Sequence, residues 1–263
     1  MAGSGLFAAL LCALSIGAAQ ALENPFPRAG AYLVVRDGRA LWGAGEERRL
    51  QPASLAKMMT ALLELESGRP ADRIVAVGKG AAGATGKRLG LRAGERLRAA
   101  DLLAATVIAS TNDACRALAE DLAGTRERFV AGMNARAVAL GMNDTRFADP
   151  CGHDRPAQHT TVADIAKLAE AVAARPEYLR LAGTAKASVR TADGARAFKL
   201  ANTNALLGYT GVIGLKTGYT PKAGTCLAAL AERDGVRVLL VILDGTDRWW
   251  DAAAMLERAF AFR

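Results

Sequence analysis

The chain is 263 residues long, enough for one large domain or two small ones. Hydrophobic residues reach 51%, which argues for a packed core and against disorder. A formal charge of +8 could draw nucleic acid, an anionic membrane surface or an acidic polymer. No basic run interleaved with aromatics occurs, and aromatic content is only 5%, so nucleic acid is set aside.

Residues 1–21 carry no charged side chain. Within them, 6–16 is a short apolar run and Ala19-Gln20-Ala21 fits a small-residue cleavage site. This reads as a secretory signal peptide cut after Ala21, too short for a membrane span. Its removal leaves Cys115, Cys151 and Cys226. Three is odd, so at most one pair forms and one thiol is left over. An exported chain could oxidise a pair, although a core of this size does not need one. His153 and His159 show no metal-ligand spacing and read as loop residues, so no metal is expected.

Residues 23–28 lead into the fold. Apolar runs at 31–35 and 40–42 flank Asp37-Gly38, a hairpin signal. Pro52 suits the first position of a helix, whose residues Leu55, Met58, Met59, Leu62 and Leu63 share a face. Ser67-Gly68 stops it. Residues 74–77 form a short strand, and 78–94 read as a glycine-rich loop region. Helices are predicted over 97–109, 113–122 and 129–140, and Thr161 caps a fourth with Asp164 in the reciprocal position. Strands return at 187–191, 195–200, 215–219, 225–231 and 237–243, with tight turns that imply antiparallel pairing. Residues 248–260 form a closing helix expected to pack on the sheet. The fold class is therefore α+β, an antiparallel sheet flanked by helices. Its sheet parts lie at about 27–96 and 183–263, and a mostly helical subdomain is inserted at about 97–182.

Three short blocks carry chemistry. Ser54 and Lys57 are three apart, so on a helix they share a face. Between Gln51 and Glu64, Lys57 is the only charged residue, and a lone cation among Ala, Leu and Met is expensive to bury. A serine hydroxyl needs a base to become a nucleophile. Lysine, with a reference pKa of about 10.4, becomes one where desolvation or a second cation lowers that value. The helix start adds free N–H groups that favour developing negative charge. Alone, Ser-x-x-Lys equally describes an amphipathic helix with a snorkelling lysine. Ser110-Thr111-Asn112 falls on the link between two helices, where a side chain can be aimed into a cleft. By itself it would be cap chemistry. Lys216-Thr217-Gly218 lies in a strand; Lys216 supplies a second cation, and Gly218 permits close backbone approach of a ligand.

Together, and in this order, the blocks resemble the signature of penicillin-binding proteins and β-lactamases. The surrounding text at 52–60, 110–115 and 214–220 is similar to that of the low-molecular-mass D-alanyl-D-alanine carboxypeptidases, and the resemblance runs from about Pro27 to the end. It implies a β-lactamase/transpeptidase-like fold, with a D,D-peptidase domain over 22–263. It implies a serine-type carboxypeptidase that removes the terminal D-alanine of peptidoglycan stem peptides, is inhibited covalently by β-lactams and needs no cofactor. Ser54 becomes the nucleophile that forms the acyl-enzyme, and Lys57 the proton acceptor. Ser110 would relay a proton to the departing amine, and Asn112 would hold Lys57 and the substrate amide. Lys216 and Thr217 would grip the terminal carboxylate. The backbone N–H groups of Ser54 and Tyr219 would form the oxyanion hole.

Two departures from the family pattern matter. Thr203, in Asn202-Thr203-Asn204, stands where some members carry an arginine that helps grip the carboxylate. This keeps a D,D-endopeptidase as the alternative. The chain also ends soon after the closing helix, whereas larger members add a β-rich domain and an amphipathic anchor. A periplasmic or secreted enzyme with no stable membrane anchor is the expectation. No Glu-x-x-x-Asn block is placed to activate a deacylating water, so a β-lactamase ranks lower, as does a non-catalytic penicillin-binding sensor.

Overall fold

The structure is a computed structural model that describes residues 29–209 and 211–262. The signal-peptide and leader readings lie outside the described residues. β1 (Ala29–Arg36) and β2 (Arg39–Ala44) form the first hairpin, with Asp37 and Gly38 both left-handed at φ 48° and 78°. A single 3-10 turn, Ala53–Leu55, runs into α1 (Ala56–Glu66). Pro52 thus precedes a turn rather than opening the α-helix, because Ala53 is left-handed at φ 46°. Gly68, at φ 66°, follows the end of α1 in the predicted conformation.

β3 (Ile74–Ala76) leads to a one-turn α2 (Lys79–Ala82) inside the segment read as loop, and then to β4 (Arg96–Arg98), which pairs with β3. Next come α3 (Ala99–Ile108), α4 (Asn112–Ala123) and α5 (Arg126–Ala139). Thr161 Oγ1 accepts from Asp164 N at 3.1 Å and caps α6 (Val162–Ala173) as its spacing predicts. α7 (Pro176–Ala182) was not legible, being too short to display a helical period. β5 (Lys186–Arg190) and β6 (Ala197–Ala201) form a separate ribbon. β7 (Val212–Thr220), β8 (Gly224–Arg233), β9 (Val236–Gly245) and α8 (Arg248–Ala261) complete the chain.

The main sheet is antiparallel, in the order β2-β1-β9-β8-β7, so the N-terminal hairpin docks on the last strand and β7 becomes an edge. Strands β1, β8 and β9 are apolar on both faces, because alternate residues serve two different cores. Leu33, Ala228, Leu230, Leu239 and Val241 face the helical layer, which includes α1, α3, α4 and α6. Tyr32, Val34, Leu227, Leu240 and Ile242 face α8, meeting its Met255 and Leu256. Cys115 on α4 is bonded to Cys151, and Cys226 in β8 is buried and free. Among the described residues, no helix is long and apolar enough to cross a membrane.

Candidate active site

A cleft of about 470 Å³ opens between the edge strand β7 and the helical layer. Ser54 reaches it from the 3-10 turn. Lys57, in the first turn of α1, donates from Nζ to Ser54 Oγ at 2.8 Å and to the carbonyl of Cys151 at 2.6 Å. Only 1% of Lys57 is exposed. That burial lowers its pKa to about 7, against the opposing pull of the Asp149 carboxylate. A substantial fraction of the amine is therefore neutral near pH 7, beside a hydroxyl whose proton it can take.

The second block enters from the link between α3 and α4. Ser110 is left-handed at φ 59°, and its Oγ accepts from Lys216 Nζ at 2.8 Å. Lys216 also donates to Thr217 O at 3.0 Å and is 2% exposed. Its pKa is held well below the ordinary lysine value, first by burial and then by repulsion from Lys57, Lys87 and Arg248. Burial is the larger influence on both lysines, and the two ammonium groups repel each other, so each disfavours the charged form of the other.

Asn112 also departs from expectation. Its Nδ2 donates to Thr85 O at 2.6 Å and lies 3.2 Å from His153 Nε2. It does not hold Lys57; the Cys151 carbonyl does. Gly218 is required for a reason that sequence reasoning did not give. A Cβ there would lie 2.9 Å from Ala53 Cβ and 3.0 Å from Ser54 N, so the close approach is by the nucleophile's own turn. Thr203 Oγ1 and Thr217 Oγ1 are 2.6 Å apart, which places the departure from the family pattern beside the third block. The Tyr219 side chain is largely exposed at the rim of the cleft.

Several site residues went unread. Arg248, at the start of α8, donates from Nη1 to Gly218 O at 2.6 Å and lines the cleft. Its guanidinium stacks on Trp249 at 4.5 Å, and burial lowers its pKa. No local pattern marks it, because its role comes from the docking of α8 on the sheet. His153 is a loop residue that lines the cleft, with Nδ1 3.0 Å from Asp149 Oδ1. His159 pairs main chain to main chain with Arg146, as a loop residue. Asp149 is fully buried, and its carboxyl lies well below the usual carboxylate range, lowered chiefly by the hydrogen bond from His153 against the cost of burial. The Pro150-Cys151-Gly152 run was the available signal for a tight turn here. The Cys226 thiol is pushed up to about 12 by burial, which makes it unreactive.

A serine hydroxyl paired with a buried lysine, backed by a second serine–lysine pair at a sheet edge, is an arrangement suited to serine-type acyl transfer. The family model for D-alanyl-D-alanine carboxypeptidase, Peptidase S11, matches residues 18–247, and the chain belongs to that family. It is 34% identical over 241 residues to D-alanyl-D-alanine carboxypeptidase DacF of Bacillus subtilis (strain 168), covering 88% of this chain and 61% of that protein. The chain thus spans less than two thirds of this relative's length. The crystal structure of the Streptomyces K15 DD-transpeptidase superposes with a TM-score of 0.85 at 27% identity, over 90% of this chain and 99% of that one. Penicillin-Binding Protein D2 from Listeria monocytogenes, in its ampicillin bound form, gives a TM-score of 0.79 at 31% identity over 90% and 99%.

Proposed function

We propose that the protein is a serine-type D-Ala-D-Ala carboxypeptidase acting on peptidoglycan stem peptides. The observation that carries this reading is the 2.8 Å approach of Lys57 Nζ to Ser54 Oγ in a cleft that also holds Lys216 and Ser110. Ser54 Oγ attacks the carbonyl carbon of the penultimate D-alanine while Lys57 takes its proton. The oxyanion that forms rests between the N–H groups of Ser54 and Tyr219, and losing one such donor costs about 3–4 kcal/mol. The tetrahedral intermediate collapses and expels the terminal D-alanine. Ser110 protonates its amine, and Lys216, 2.8 Å away, resupplies Ser110. Lys57 then releases to solvent the proton it took from Ser54, and Lys216 regains one. Water attacks the ester carbonyl with Lys57 again the base, and Ser54 Oγ leaves with that proton.

The terminal carboxylate sits against Lys216, Thr217 and Arg248. Arg248 brings a guanidinium to the cleft from α8, where some relatives use an arginine at the position of Thr203. Penicillins, which present a carboxylate and a strained amide, acylate the same serine. The signal-peptide reading places the enzyme in the periplasm or outside the cell.

Thr203 favours one second reading, a D,D-endopeptidase that cuts cross-links with the same residues. Digestion of purified muropeptides separates the two. Free D-alanine is expected from the carboxypeptidase, and monomers from cross-linked dimers mark the endopeptidase. Labelling with a fluorescent penicillin tests the shared chemistry, and Ser54→Ala is expected to abolish it. Equal labelling of that variant removes Ser54 as the nucleophile.

A further inference from the structure

The loop from Asp149 to His153 touches α1, the turn that bears Ser54 and the start of α4. The carbonyl of Pro150 accepts from Thr60 Oγ1 at 2.7 Å, on α1 beyond Lys57. The carbonyl of Cys151 accepts from Lys57 itself. Gly152 is left-handed at φ 85°, and a Cβ there would overlap the carbonyl of Ala53, directly before Ser54. His153 lies against Asn112, and the buried Asp149 accepts from the N–H groups of Cys151 and His153 at 2.9 and 3.2 Å. The disulfide to Cys115 ties this loop to α4, across 36 residues of sequence, in the same turns that begin with Asn112.

We propose that Cys115 and Cys151 are positioning residues, whose disulfide holds the Cys151 carbonyl against Lys57, so that a dithiol reductant slows acylation of Ser54 without unfolding the chain. This rests on the reading of Ser54 and Lys57 given above. Opening the bond breaks S–S. Two electrons and two protons pass to the two sulfurs, and the dithiol closes to its own disulfide. The loop then keeps only non-covalent ties, and the carbonyl that orients Lys57 is free to drift. A shift of about 1 Å in such a partner is enough to cost a large factor in rate.

Lys57 reports on this directly. The charged and titratable groups around it are Asp149 and His153 from the loop and Lys216 from β7. Arg116 from α4 and Arg155 lie 3.7 and 3.9 Å from Asp149 Oδ2. Loosening the loop weakens the field of Asp149, which lowers the pKa of Lys57, and admits water, which raises it. Burial is the larger influence, so the net movement is upward.

The experiment compares the oxidised protein, the protein treated with dithiothreitol and the Cys115→Ser/Cys151→Ser double variant. The rate of acylation by a fluorescent penicillin is measured from pH 5 to 10, with circular dichroism as the check on folding. The reduced protein is expected to be folded and acylated at least tenfold more slowly, with the midpoint of its pH profile moved upward. Reoxidation restores both, and the double variant behaves as the reduced protein and ignores dithiothreitol. If that variant does not fold, the reduced wild-type protein decides. A folded, reduced protein with the rate and midpoint of the oxidised one overturns the proposal, as does a slower rate at an unmoved midpoint. Loss of the dichroism on reduction also overturns it, making the bond a staple of the fold. An oxidised protein that is never acylated instead brings down the reading of Ser54, and with it this inference.

Discussion

Lys57 is a cation that the fold makes expensive to keep. Its Nζ has two oxygen partners, yet burial brings its pKa down to about 7. As the base for Ser54 it acts only when neutral, so acylation is expected to rise with pH through about 7 and level off above it. A rate flat from pH 5 to 9 would exclude the role. Lys57→Ala is expected to slow acylation by about 10²–10⁴-fold, the usual worth of a positioned base. The same shift bears on stability. Unfolded, the lysine keeps its proton to about 10.4, so between about 7 and 10.4 the folded chain binds fewer protons than the unfolded one. Its contribution to stability therefore rises with pH across that window and is least favourable below it. Gly218 makes the complementary point at the same scale. Gly218→Ala would press a methyl onto Ala53 and Ser54 N. It is expected to cost about 1–3 kcal/mol in urea denaturation and to slow penicillin labelling, because the displaced atom is one of the two oxyanion donors in the proposed reaction. Labelling at the wild-type rate would show that the turn moves without cost to the site.

One carboxylate at the start of α4 governs an element that holds no regular structure. Asp113 is fully buried and accepts from the N–H groups of Leu89, Gly90 and Leu91 at 3.1, 2.8 and 3.0 Å. It thereby fastens the segment that brings Gly86 and Lys87 to the cleft. Asp113→Ala leaves those three donors without their partner, and each such group costs about 1–3 kcal/mol where water cannot reach it. Leu91 is buried whereas Gly90 is exposed, so a loss of about 1–3 kcal/mol is expected, together with slower acylation, and a loss under about 1 kcal/mol would show that water takes over all three donors. Of the helices around this segment, α1 and α4 were legible because each ends close to a glycine and buries an apolar face, and α3 because of its apolar run. The segment itself was legible only as loop. Its order comes from a side chain more than twenty residues away, and neither period nor turn chemistry encodes that distance. The same holds for Asp149, whose influence on Lys57 crosses from a loop to a helix.

Across the whole molecule, the three blocks meet because strand order departs from chain order. The first hairpin pairs with β9, which leaves β7 as an edge against the nucleophile's turn. The sequence shows the blocks and their order. It does not show that Ser110 and Lys216, 106 residues apart, would come within a hydrogen bond, because that depends on how the helical layer seats on β7. Tyr178 of α7 is a fixed point of that seating. It is fully buried, and its hydroxyl reaches Leu215 O at 3.5 Å, the residue before Lys216. Leu215 is held at φ 145°, and a Cβ on Gly214 would lie 2.6 Å from Ala182 O at the end of α7, so helix and strand interlock where β7 is irregular. A bond of 3.5 Å is weak, so Tyr178→Phe is expected to cost under about 1 kcal/mol. Tyr178→Ala removes the ring and is expected to cost about 3–5 kcal/mol. At about 2–4 °C per kcal/mol for a domain of this size, the midpoint of thermal unfolding falls by roughly 6–20 °C. Below that midpoint, acylation of the alanine variant is expected to be slower than that of the phenylalanine variant, since the strand bearing Lys216 has lost its backing. Equal losses in the two variants would assign the effect to the hydroxyl and leave the ring with no part in holding the cleft together.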